Sequence, residues 1–116
     1  MMKGGMKYKQ GEIVLIPFPY TDFSTGKQRP ALVLSNNKMD KFEDIICCLV
    51  TSNPSKSGLL IKKNHFEKGK LPFKSWIKPH RIFTIDSKIV KKRVCLINKG
   101  FFDEVLEDVL SYVKRK

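Results

Sequence analysis

Two short stretches of this chain carry side chains suited to handling an anion. In KQRPALVLS, Arg29 stands directly before Pro30 at the mouth of an apolar run. A guanidinium is planar, always charged, and can grip two oxygens of one phosphate or carboxylate at once. The proline that follows keeps residue 29 extended, so the fork is presented from a stiff stem. In SWIKPHRIFTID, Lys78 and His80 flank Pro79. A lysine binds phosphate as a point charge, and histidine is the side chain whose charge ordinarily changes near neutral pH, which suits general acid or base work. Thr51 closes the run DIICCLVT, and a hydroxyl there can donate to an anionic oxygen or order a neighbouring hydroxyl. Taken singly, each has a plain structural reading: an arginine beside a strand, a threonine at a strand end, a histidine in solvent. His65, in NHFEKGK, has no companions of this kind and reads as incidental.

Metal and redox chemistry find little to work with. The three cysteines, Cys47, Cys48 and Cys95, are odd in number and lack ligand or scaffold spacing. Cys47 and Cys48 are neighbours in an apolar run, so an extended chain sends them to opposite faces. They read as reduced, small hydrophobes. Asp, Glu and His show no cluster at ligand spacing, and no metal or other cofactor is expected.

Charge is the strongest global feature. Lys and Arg number 23 against 11 Asp and Glu, for a net charge of +12 on 116 residues. Such a surface attracts polyanions, each phosphate contact adding salt-dependent affinity. The lysines are spread as doublets, apart from the closing Lys114-Arg115-Lys116, which indicates a basic surface and not a basic tail. The length suits one domain, a loose basic lead-in over 1–9 followed by a single unit over 10–116. A hydrophobic share of 41% argues against disorder. No run of about 18 apolar residues is present to span a membrane. MMKGGMKYKQ lacks the apolar centre of a secretory signal, so a cytoplasmic protein is expected.

The elements that must position these residues are mostly strands. Residues 12–16 form a short β-branched run ended by PFP, whose prolines cannot continue a central ladder. Residues 31–35 give a second strand stopped by Asn36-Asn37. The third, 44–51, is apolar on both faces and therefore central. A fourth, shorter strand is expected at 58–62, and a helical turn at 64–70. Residues 75–85 form a strand bent or bulged at Pro79, and 90–97 the last strand. The tail then changes period: Phe102, Val105, Leu106, Val109, Leu110 and Val113 fall at three/four spacing, with acids early and KRK at the close, as a helix dipole favours. Five to seven strands and one amphipathic helix make a mainly β, α+β domain, a small barrel or curled sheet.

Five segments at this spacing, GEIV, the PFPYTD loop, KQRPALVLS, a strand ending VTSN, and SWIKPHRIFTID, resemble the PemK/MazF family of toxin endoribonucleases over roughly residues 10–113. The resemblance implies an SH3-like barrel, a homodimer, metal-independent and sequence-specific cleavage of single-stranded RNA, and a cognate acidic antitoxin that covers the active site. It also implies roles. Cleavage without metal uses the RNA's own 2′-OH, leaving a 2′,3′-cyclic phosphate and a 5′-OH. Arg29 would neutralise the crowded phosphorus, and Thr51 takes the family's threonine or serine position. Where some relatives carry an arginine and an acid, this chain has Lys78 and His80, so His80 is expected as a proton carrier and Lys78 as a phosphate contact. Further substrate contacts are expected in the loops 20–28 and 52–57, from Tyr20, Ser24, Gln28, Ser52 and Asn53. Tyr20 and Phe23 suit base stacking, Phe18 and Trp76 read as packing, and Lys27, Lys56, Lys70 and Lys74 as electrostatic background. Two rival functions remain: a barrel that holds RNA without cutting it, and a gyrase-poisoning toxin of the same barrel class.

Overall fold

Period-two apolar runs become strands here, and the period-3.6 tail becomes a helix. The structure, a computed structural model, describes residues 7–17 and 27–116. The strands are β1 (Glu12–Pro17), β2 (Gln28–Val33), β3 (Asp44–Thr51), β4 (Leu59–Leu60), β5 (Phe66–Lys68), β6 (Trp76–Asp86) and β7 (Lys92–Ile97). They form one curled antiparallel sheet in the order β4-β6-β3-β2-β1-β7-β5, a half-barrel completed by the helix α1 (Lys99–Val113). Of the described helices, none is long and apolar enough to cross a membrane.

The central position expected for DIICCLVT is borne out: β3 lies between β2 and β6. Alternation along it feeds two cores. Cys47 and Leu49 join Val14, Ile16, Ala31 and Val33 on one face, whereas Cys48 and Val50 join Ile13, Leu32 and Ile77 on the other. The second face also receives α1 through Phe101, Phe102, Val105 and Val109, all buried. Each such side chain removed from water stabilises the fold by about 1.5–3 kcal/mol. The Asn98 side chain caps α1 by accepting a hydrogen bond from the Phe101 N–H at 2.8 Å.

Four local readings differ from the structure. Residues 64–70 do not make a helical turn; a 3₁₀ turn at Lys63–His65 leads into β5. Tertiary contacts decide this. The His65 ring stacks on Phe101 at 3.6 Å between centroids, and its Nδ1 accepts from the Lys62 N–H. Asn98 donates to the carbonyls of Asn64 and His65, both at 2.8 Å. A 3₁₀ helix at Asn37–Phe42, capped by the Asn36 side chain, follows the second strand where only a stop was expected. β4 shrinks to two residues. Finally, α1 begins at Lys99, so its acids fall after the first turn, and KRK lies beyond its last residue.

The bend expected at Pro79 is a real break in register. Leu49 pairs with Lys78, but its neighbour Cys48 pairs with Ile82, leaving residues 79–81 unpaired. At the start of the described chain, Tyr8 packs against the core face of Val14 and Val33, and the Arg93 guanidinium lies 4.5 Å from its ring centroid. Arg93 also donates to Glu12 at 2.7 Å.

Candidate functional site

β2 and β3 are antiparallel, so the first residues of β2 and the last of β3 meet at one rim of the sheet. The ladder pairs Val33 with Cys47, Leu32 with Cys48 and Ala31 with Leu49. The ladder ends there; continued two residues further, the same register points Arg29 toward Thr51, and by alternation both fall on the face of Ala31, Val33, Cys47 and Leu49. On the other side, Arg29 is held by backbone pairing to Ile16 of β1. The arginine is half-buried, and among the described residues neither an ion pair nor a side-chain hydrogen bond engages it. A cation on a stiff base, unpaired among the described residues, suits an incoming anion.

Thr51 is oriented by its own turn. Its Oγ1 accepts the Asn53 N–H at 3.1 Å, the side-chain turn that threonine favours at a strand end. One lone pair is thereby committed and the hydroxyl proton stays free to donate outward. Lys78 pairs with Leu49, two pairs along from Trp76 and Thr51, which puts it on the same face as Thr51. The Trp76 ring lies half-buried, with the Lys74 ammonium 5.9 Å from its centroid.

Arg29 lines a groove of about 330 Å³ with Gln28, Pro30 and Ser52 on one side and Leu71, Pro72, Phe73 and Ser75 on the other. Lys92 adds a second positive charge, and the described residues of this lining include no acid. The far wall is a short loop pinned by Ser75, which is buried and donates its hydroxyl to the Phe73 carbonyl at 2.8 Å. That bond leaves the Phe73 ring 72% exposed at the lip. The sequence reading missed this wall. Its signal was an aromatic directly after a proline in a segment read only as a break.

The expected residues therefore separate. Gln28, Arg29 and Ser52 share the groove; Thr51 sits across from Arg29 by register, with Asn53 bonded to it; Lys78 shares the Thr51 face. His80 is elsewhere. It lies in the unpaired segment of β6, exposed, with its ring 5.8 Å from that of Tyr112 on α1, and it does not line the groove. His65, read as incidental, packs its ring on Phe101. Tyr20, Ser24, Phe18 and Phe23 lie outside the described residues. The cysteines are free and buried. Burial pushes the Cys47 thiol up to about 12 and that of Cys95 to about 11, and it raises Cys48 further, with the neighbouring Cys47 adding to the effect. Thiols so raised are poor nucleophiles and poor ligands. Among the described residues, no three His, Cys, Asp or Glu side chains are grouped to hold a metal ion.

Comparison with known proteins agrees with this architecture. Residues 9–113 match the model of the PemK-like, MazF-like toxins of type II toxin–antitoxin systems. No curated protein sequence matches the chain. Among solved structures, a chain of a MazE–MazF complex from Deinococcus radiodurans superposes with a TM-score of 0.73 at 18% identity, covering 97% of this chain and 100% of that one. An endoribonuclease in complex with its cognate antitoxin, from a mycobacterial species, gives 0.70 at 12% identity, with 94% and 95% covered. The Mycobacterium tuberculosis toxin MazF-mt6 gives 0.69 at 11%, with 90% and 98% covered. At these identities the likeness is one of fold.

Proposed function

Because the chain belongs to the PemK-like, MazF-like toxins of type II toxin–antitoxin systems, we propose that it cuts single-stranded RNA at specific sequences, without a metal ion, through the groove at the β2–β3 rim. The substrate's own 2′-OH attacks the adjacent phosphorus. The bond from phosphorus to the 5′-oxygen breaks, the 2′-OH proton is removed and the leaving oxygen takes one up. The products are a 2′,3′-cyclic phosphate and a 5′-OH end. Arg29 grips the two nonbridging oxygens, whose charge grows as phosphorus becomes five-coordinate. Thr51, its oxygen already bonded to the Asn53 N–H, turns its proton to the same phosphate. Gln28, Ser52 and Asn53 lie where flanking nucleotides would pass, and Lys78 and Lys92 add positive potential. No step is assigned to His80, whose ring faces Tyr112. The observation that supports this reading is a stiffly mounted arginine that lines a groove with Gln28 and Ser52, with no acid among the described residues of that lining.

The toxin acts in the cytoplasm as a homodimer and is neutralised by an acidic antitoxin protein. The net charge of +12 supports the acidity of that partner, and solved structures of the same fold hold cognate antitoxins. The test is to incubate the purified protein with a long RNA in excess EDTA and to characterise the new ends. Cuts at a defined sequence, with 5′-OH ends that a polynucleotide kinase labels directly, are the expected result. Cleavage restored only by Mg²⁺ or Mn²⁺ would overturn the mechanism. Retention of RNA without cuts would make the protein a binder, and neither cuts nor retention would leave a gyrase-directed toxin.

A further inference from the structure

Beyond the Arg29 groove, the far side of the Phe73 loop holds a larger cavity of about 700 Å³. The two share a wall, since Leu71, Pro72, Phe73 and Ser75 line both. The floor of the larger cavity is apolar, with Leu60, Ile61 and Phe66. Its rim carries four lysines, Lys62, Lys63, Lys70 and Lys74, and no acid. All four are exposed, and all come from segments distant from Arg29 in sequence. Lys74 lies over the Trp76 ring, and together the four charges make this rim attractive to an anion.

We propose that this cavity is a second RNA subsite, in which a base flanking the cleaved position stacks on Phe73 and the phosphates that follow meet Lys62, Lys63, Lys70 and Lys74. Single-strand binders combine these two features: an exposed aromatic for base faces and a cationic track for the backbone. The Phe73 ring is 72% exposed on the lip between the two cavities, so a strand leaving the Arg29 groove meets it first and the lysines next. An acidic peptide would find the same charges and the same shared wall. The exposed aromatic ring at the step between the two cavities, suited to the face of a base, favours RNA. The inference rests on the ribonuclease reading only for the strand's position at Arg29.

The experiment measures binding and cutting separately. Fluorescence anisotropy with 2′-O-methylated single-stranded RNA, which cannot be cut, follows affinity for a long probe of roughly 16 nucleotides and a short one of roughly 4. The Lys63→Gln/Lys70→Gln double variant should weaken binding of the long probe and leave the short one unchanged. It should also flatten the dependence of log affinity on log salt by about 1.4, the share of two phosphate contacts on a single strand. Phe73→Ala should weaken the long probe by about tenfold or more. Both changes are on exposed side chains, and circular dichroism confirms the fold. Long-probe affinity and salt slope equal to wild type would overturn the subsite, while loss of cutting in Arg29→Ala would still uphold the ribonuclease reading. Weakened long-probe binding in a protein that cuts no RNA would uphold the subsite and overturn that reading. Unchanged RNA binding, with neutralisation by the antitoxin lost, would give the cavity to a protein instead.

Discussion

Replacing Arg29 by alanine separates catalysis from folding. Its backbone pairing to Ile16 survives the change, and among the described residues its side chain has no partner to lose. Half-burial of the stem leaves a stability cost of about 0.5–1 kcal/mol, a fall in Tm of about 4 °C or less for a domain of this size. The loss in the transition state is larger. A preorganised donor set against charge that develops in the reaction is worth about 3–4 kcal/mol, and at 1.36 kcal/mol per decade the rate should fall by about 10²–10³. Arg29→Lys keeps the charge but not the two-pronged contact, so it should recover only part of that loss. Single-turnover cleavage of a labelled RNA with enzyme in excess reads the chemical step, and thermal melts check the fold. A folded Arg29→Ala protein that cuts within tenfold of wild type would show that the arginine does not hold the reacting phosphate.

Thr51→Val removes the hydroxyl with little change of shape; it should slow cleavage by about tenfold or more and cost about 0.5–1 kcal/mol through the lost, exposed hydrogen bond from the Asn53 N–H, whereas Thr51→Ser should keep most activity, and single-turnover rates with melts decide both. His80→Asn should leave the cleavage rate within a fewfold and the pH–rate profile unaltered; loss of an inflection near neutral pH would bring the histidine back into the proton transfers. Cys47 and Cys95 should resist iodoacetamide in the folded protein at pH 8 and react once it is unfolded in urea, since burial holds the thiols at about 12 and about 11; fast native labelling would contradict the closed cores. The same shifts set a sign: above about pH 9 the unfolded chain gives up thiol protons that the folded chain keeps, so stability should fall as pH rises through that range, measurable by urea titration.

Much of the fold was legible because its signals were local. The tail's apolar period needed a helix to bury it, and DIICCLVT, apolar on both faces, needed neighbours on both sides. Segments decided by distant partners were not legible. The chain through His65 turns as it does because Phe101 and Asn98, more than thirty residues away, hold its ring and its carbonyl. The site divides the same way. Arg29 and Thr51 stand at strand ends whose register follows from plain antiparallel pairing. Lys78 and His80, two apart, share a face only in an unbroken strand. The unpaired residues 79–81 break that alternation, and Ile77 and Ile82 both join the core beneath α1. A proline announces such a break, but not how many residues it will leave unpaired.

The proline-rich interval between β1 and β2 gains a purpose from this arrangement. A tight hairpin would have set a two-residue turn against Pro17 and Gln28, which are paired at the ladder's end. The chain instead has ten residues, 18–27, between them, and Gln28 and Arg29 are the first residues of β2. Behind the arginine, Ala31, Val33, Cys47 and Leu49 are almost fully buried, and such packing resists displacement. The cost of aligning a cation with a phosphate is thereby met during folding and not during the reaction, which is the condition under which a single guanidinium contributes most.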